Sequence, residues 1–163
     1  MDLLILRHGQ AGTRSHSLAD HKRPLTSQGR QEVEDLSQGL KSLAIKFDAI
    51  FTSPLVRAKQ TAEIVAKSMK FSGKIQVIDS LKPEGNKLEF YSLLSKLKQD
   101  SKILVVGHEP YLSDMISEAI SESGCKINLK KAGLAKIKIL STLPKIKGDL
   151  RWLLTPKLLK KIV

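Results

Sequence analysis

Two short segments constrain this chain more than anything else in it. Leu3-Leu4-Ile5-Leu6 and Ile103-Leu104-Val105-Val106 are solidly apolar and stop abruptly at polar residues, Arg7-His8-Gly9 in one case and Gly107-His108 in the other. Neither run alternates like a strand with one wet face, and both are too short for core helices. Each therefore predicts a strand buried on both sides. Such a strand needs a covering layer above and below, and the segments between supply it.

Thr26 or Ser27 caps a predicted helix running to about Ala44, with Val33, Leu36, Leu40 and Leu43 at helical spacing. Asp48 to Thr52 reads as a second strand, and Pro54 suits the first turn of a helix reaching about Met69. Ile75 to Ile78 is a weaker strand, Asn86 to Lys98 a helix, and Pro110 opens another through Ile116 and Ile120. Gly9 to Pro24, with Gly12, Ser15, His16, Ser17 and Asp20, is a polar loop. Leu134 to Leu140 and Leu150 to Leu154 are late strands joined through Pro144 and Gly148, too close together for a helical crossover and so antiparallel. The expected fold is a single α/β domain over residues 1–163. It has three α/β/α layers, a mostly parallel central sheet and one antiparallel edge strand.

The core must rest on Leu, Ile, Val and Ala, because aromatic residues make up only 4% of a chain that is 41% hydrophobic. The single cysteine, Cys125, excludes an internal disulfide and favours a reducing compartment. Arg7 ends the amino-terminal apolar run too early for a signal-peptide core or a membrane span. A cytoplasmic monomer without membrane contact is expected. The net charge of +12 is uneven: from Lys126 onward, ten lysines and Arg151 face Asp149 alone. Such a region steers acidic partners or polyanions, or simply decorates solvated strands. No aromatic-studded basic groove accompanies it, so nucleic acid is a poor candidate partner.

In parallel α/β sheets, ligands bind beyond the carboxyl ends of the strands. Three predicted strands end there in chemically notable residues: Arg7-His8-Gly9, Ser53 with Arg57 just beyond, and Gly107-His108. A phosphoryl group in transfer carries three electron-rich oxygens. Two guanidinium groups offer forked, permanent positive donors for them. One imidazole can attack phosphorus while the other donates to an oxygen. Gly9 lets the backbone turn and approach closely, and the starts of the Pro54 and Pro110 helices add positive dipole ends.

These residues stand in four ordered segments. They are Leu4-Ile5-Leu6-Arg7-His8-Gly9, Arg23-Pro24-Leu25-Thr26 with Gly29, Ser53-Pro54-Leu55-Val56-Arg57-Ala58-Lys59-Gln60-Thr61-Ala62, and Val105-Val106-Gly107-His108-Glu109-Pro110. In order and spacing they resemble the histidine phosphatase superfamily, the phosphoglycerate-mutase-like group, and within it the short SixA-type protein phosphohistidine phosphatases. The resemblance implies a phosphoglycerate-mutase-like fold and phosphorylation of His8 during turnover, with the Gly9 carbonyl holding its other ring nitrogen. It implies phosphoryl binding by Arg7, Arg57 and His108, with Gly9 and Ser53 assisting, and neither metal nor organic cofactor. The implied substrate is a phosphohistidine-bearing protein, such as a histidine-phosphotransfer protein in signalling.

Gln10 departs from the acidic residue that many superfamily members carry after Arg-His-Gly. Asp79 and Glu84 are the candidates for a proton donor, and either would favour a small phosphomonoester as substrate instead. Because imidazole leaves phosphorus more easily than an alkoxide, phosphohistidine needs such a donor least. A polyanion-binding module built on the basic carboxyl-terminal region is the alternative outside enzymology. His16, His21, Arg14 and Arg23 lie near the signature, with His16 and His21 expected to be exposed.

Overall fold

The computed structural model describes residues 1–14 and 16–161. Ser15 of the polar loop and the terminal Ile162 and Val163 lie outside the described residues. Six strands, β1 (Asp2–Arg7), β2 (Ala49–Thr52), β3 (Ile75–Val77), β4 (Lys102–Gly107), β5 (Leu134–Ser141) and β6 (Lys147–Leu154), form one sheet in the order β3-β2-β4-β1-β5-β6. β1 to β4 are mutually parallel. β5 is antiparallel to both β1 and β6, so the antiparallel pairing comes at that edge, as the short connection required.

The two apolar runs pair with each other, Leu3 beside Ile103 through Arg7 beside Gly107. Successive residues of a strand point to opposite faces, so each run feeds two cores. Leu3, Ile5, Ile103 and Val105 face α3 (Lys87–Ser95) and α4 (Tyr111–Ile120). Leu4, Leu6, Leu104 and Val106 face α1 (Ser27–Ser42), α2 (Val56–Ser68) and α5 (Pro156–Leu159). These residues are at most 2% exposed, and each fully buried aliphatic side chain of this kind is worth about 1.5–3 kcal/mol. That double burial makes the parallel pair the rigid centre of the domain.

Several boundaries shift from their sequence expectation. α2 starts at Val56 behind Leu55, leaving Pro54 outside the helix. α3 is shorter than expected at both ends, and the polar loop contains a short 3-10 helix at Asp20–Lys22. β6 begins at Lys147, so Gly148 lies inside the strand opposite Ile139 and not in the turn. Trp152 packs against the α1/α2 core. The basic end is partly neutralised in the fold: Lys136 and Lys138 pair with Asp2, Lys147 with Glu122, Arg151 with Asp149, and Lys160 with Asp35. Among the described residues, no helix is long and apolar enough to cross a membrane.

Candidate active site

The sheet register assembles the site. β2, β4 and β1 are adjacent and parallel, with Thr52 beside Val106 and Arg7 beside Gly107. Ser53 therefore emerges level with Gly107, and His8 and His108 one residue further along, all at the carboxyl edge. The backbone continues the ladder there, with the His8 amide donating to the Gly107 carbonyl at 3.1 Å and that of Ser53 to Val106 at 3.0 Å. The His8 and His108 rings stand 4.9 Å apart between centroids. Arg57 joins them from the first turn of α2 and is only 4% exposed. Together with Arg7 these residues line a cavity of about 630 Å³ whose wall also includes Arg14, Asp20, Arg23, Glu84, Glu109 and Lys131.

His8 has one ring nitrogen committed: Nδ1 lies 2.7 Å from the Gly9 carbonyl, which can only accept, so Nδ1 carries the proton. Nε2 then keeps its lone pair and accepts from Arg57 Nε at 3.2 Å. Burial lowers the His8 pKa to about 4; the Gly9 bond opposes this, while Arg57, Arg7 and Arg23 reinforce it. At neutral pH the imidazole is thus uncharged and of defined tautomer, with a lone pair on Nε2.

His108 is lowered further, to about 3, by burial and by His8, Arg57 and Arg7, against the opposing charge of Asp20. Its Nε2 lies 2.7 Å from the hydroxyl of Ser53, a residue with no exposure. That hydroxyl also receives the Leu55 amide at 3.4 Å, and Nε2 is its one acceptor among the described residues. A buried hydroxyl gives its proton to the acceptor it has, which leaves the His108 proton on Nδ1. That N–H is buried and without a partner among the described residues, on a ring that lies next to His8. Ser53 therefore sets the state of His108 and does not line the cavity.

Gly9 is likewise absent from the cavity wall; its carbonyl holds His8 Nδ1 as expected, and its missing side chain has a second use. Its φ is not in the left-handed region. A Cβ there would meet the Gly29 carbonyl oxygen at 2.7 Å and Val33 Cγ2 at 2.8 Å, and one on Gly29 would meet the Gln10 carbonyl oxygen at 2.0 Å. The paired glycines let α1 press against the segment that follows the nucleophile. Thr26 locks this approach, accepting the Gly29 amide at 3.0 Å as the cap of α1 and donating its hydroxyl to the Gln10 carbonyl at 3.2 Å. Thr61 of α2 receives the Gly9 amide at 3.2 Å, and Gln60 the Leu25 amide at 2.8 Å. At the start of α4, Glu109 already accepts the Ser113 amide, so that helix end is satisfied from within the chain.

Sequence reasoning missed three contributors. Asp20, noted there only as a polar loop residue, sits among the arginines: its carboxylate accepts from Arg14, Arg23 and Arg57, and its carbonyl from Arg57 Nη1 at 2.8 Å. Partial burial raises its carboxyl, yet the bonds and charges of Arg23 and Arg57 outweigh it and hold the group at about 2. The Leu129–Gly133 segment braces the signature. Leu129 accepts from Arg7 Nη1 at 2.9 Å, and the Ala132 amide donates to the carbonyls of Arg7 and His8. Lys131 of that segment reaches the cavity wall. Of the two proton-donor candidates, Glu84 lines the cavity, whereas Asp79 pairs with Lys82 and does not. His16 and His21 are exposed and away from the wall.

The buried neutral imidazoles have a consequence for stability. Their folded pKa values lie below the ordinary 6.5, so the stabilisation is complete above that value and is lost as pH falls toward 4 and then 3. Between pH 6 and 5 each imidazole is expected to remove about 1 kcal/mol per pH unit. Urea unfolding at the two pH values checks this, with a flatter dependence expected for His108→Asn. Equal stability at both would contradict the neutral assignment.

Comparison with known proteins gives this geometry a family context. Residues 3–82 match the model of the histidine phosphatase superfamily (branch 1). An uncharacterized protein of Picosynechococcus sp. is 39% identical over 82% of this chain and 82% of its own length. The phosphohistidine phosphatase SixA of Escherichia coli is 29% identical over 72% of this chain and 73% of its own. A solved structure of the protein histidine phosphatase SixA complexed with tungstate superimposes with a TM-score of 0.85 at 24% identity, covering 96% of this chain and 98% of that one. With its histidine pair and arginines at the carboxyl edge of a six-stranded sheet, this chain belongs to the histidine phosphatase superfamily.

Proposed function

We propose that this phosphatase hydrolyses phosphohistidine on proteins through a phosphohistidine formed transiently at His8. The observation that carries the reading is the state of His8: neutral, with Nδ1 tied to Gly9 and the Nε2 lone pair in reach of Arg57. In the first step Nε2 attacks phosphorus, the bond from phosphorus to the substrate imidazole breaks, and that nitrogen takes a proton from water in the cavity. In the second step water attacks the His8 phosphoryl group, releasing inorganic phosphate and restoring the imidazole. Arg7, Arg57 and the His108 Nδ1–H donate to the phosphoryl oxygens as charge redistributes.

The similarity to phosphohistidine phosphatase SixA supports this substrate class. The chemistry of the leaving group agrees, because imidazole departs without strong acid assistance. A small phosphomonoester is the second reading, favoured by Glu84 on the cavity wall, where a carboxyl group can protonate an alkoxide.

Phosphate release from a histidine-phosphorylated protein, compared with an aryl phosphate at matched concentration, separates the two readings. Fast release from the phosphoprotein, with Glu84→Gln unchanged on it, is expected. Preference for the aryl ester, together with a large loss in Glu84→Gln, would transfer the assignment to small phosphomonoesters.

Ser53→Ala tests the hydrogen-bond relay to His108. Turnover is expected to fall about tenfold, since the donor stays in place but loses its enforced tautomer. The ¹⁵N shifts of His108 should show the Nε2-protonated form gaining population. Unchanged turnover and unchanged shifts would remove Ser53 from the relay.

A further inference from the structure

We infer that Asp20 is a positioning residue for Arg57, whose carbonyl and half-exposed carboxylate hold the guanidinium by its outer nitrogens so that Nε faces His8. This rests on the phosphatase reading of the site, but not on which phosphorylated group is the substrate.

The geometry of Arg57 is the starting point. Nη1 donates to the Asp20 carbonyl at 2.8 Å and Nη2 to its carboxylate at 3.0 Å, while Nε donates to His8 Nε2 at 3.2 Å. The planar guanidinium is thus fastened on one side by a single residue and directed at the reacting nitrogen on the other. When a phosphoryl group is bound, Nε must release the Nε2 lone pair and is then placed to donate to a phosphoryl oxygen, while the outer nitrogens keep Asp20.

Asp20 is itself immobilised. Arg23 contacts the same carboxylate oxygen through Nε at 2.9 Å and Nη2 at 2.7 Å, and reaches the Gly12 carbonyl through Nη1 at 2.6 Å. The 3-10 turn at Asp20–Lys22 and the bond from the Arg23 amide to the Asp20 carbonyl fix the backbone that Arg57 uses. The chain therefore runs from Arg23 through Asp20 to Arg57 and His8.

Charge gives this arrangement a signature that a loop-folding role would not share. Arg7, Arg14, Arg23, Arg57 and Lys131 line the cavity with Asp20, Glu84 and Glu109, while both histidines are neutral. Removing the Asp20 charge makes the cavity more positive and strengthens its hold on a phosphate ion, yet it frees Arg57 to leave the orientation that transfer requires. Affinity for anion and rate of turnover then move in opposite directions.

The experiment compares Asp20→Asn and Asp20→Glu with the parent, using an aryl phosphate for kcat and titration calorimetry with inorganic phosphate for affinity. Because an aryl phosphate is used, failure of phosphohistidine as the physiological substrate would not affect the result. Asp20→Asn is expected to lower kcat about tenfold or more, by misplacing a transition-state donor, while inorganic phosphate binds as tightly as to the parent or more tightly. Asp20→Glu, which keeps the charge on a longer arm, should bind phosphate like the parent without recovering its kcat. Parent-like kcat in Asp20→Asn would overturn the inference. A parallel loss of kcat and phosphate affinity would overturn it in favour of a loop-folding role. Full recovery by Asp20→Glu would show that charge alone matters and would overturn it too.

Discussion

His8→Ala is expected to reduce kcat by on the order of 10,000-fold or more, the scale seen when a covalent nucleophile is deleted from an otherwise intact site. The physical reason is that no neighbour can take over. His108 lies 4.9 Å away between ring centroids, but its Nε2 is occupied by the Ser53 hydroxyl and its Nδ1 carries a proton, so it offers no lone pair to phosphorus. The arginines are donors only. Rapid quenching of the parent enzyme with substrate labelled at phosphorus should trap an acid-labile, alkali-stable adduct on His8, and the variant should form none. Turnover near the parent rate in His8→Ala, or a label on another residue, would refute the covalent route.

The second large effect is at Arg57. Arg57→Ala is expected to lower kcat about 100- to 1,000-fold, the usual loss on deleting a preorganised donor to developing charge. It should also change the nucleophile itself. Burial is the larger cause of the low His8 pKa, but Arg57 is the first of the positive charges that add to it, so its removal raises that pKa from about 4. The acidic limb of the kcat/KM profile for the free enzyme must then move to higher pH. Arg57→Lys keeps a charge but loses the fork that spans His8 and Asp20, and should recover little of the rate. A rate loss with no shift in the acidic limb would mean that Arg57 acts on the phosphoryl group without acting on His8.

Much of this architecture was legible in the residues. Leu3–Leu6 and Ile103–Val106 read as doubly buried strands because burial on both faces leaves a continuous apolar run, and both are fully enclosed by helices in the fold. The ends of such strands predicted where chemistry would sit, and the register brought His8, Ser53 and His108 side by side. The helix caps were readable as well: Thr26 accepts the Gly29 amide in the way its position before an apolar-periodic segment implies. Reading failed at the loops. Asp20 carries no periodicity and no spacing that marks it, yet it receives hydrogen bonds from three arginines, one of them 37 residues away. Nor does anything local mark the use of the missing Gly9 side chain in the approach of α1, which depends on Gly29 and Val33 some twenty residues on.

Hydrophobic periodicity and strand termini are local properties written along the chain, and they marked the six strands, the four longer helices and the strand ends that carry His8, Ser53 and His108, but not the short α5. The strand order, the tautomers of His8 and His108, the brace from Leu129 to Gly133 and the grip of Asp20 on Arg57 arise only once the chain has folded. These depend on side chains and carbonyls brought together across the fold, as when Arg7 bonds a carbonyl 122 residues away. Hydrogen bonds of that kind are set by three-dimensional proximity and by the exclusion of water, and neither leaves a period in the sequence.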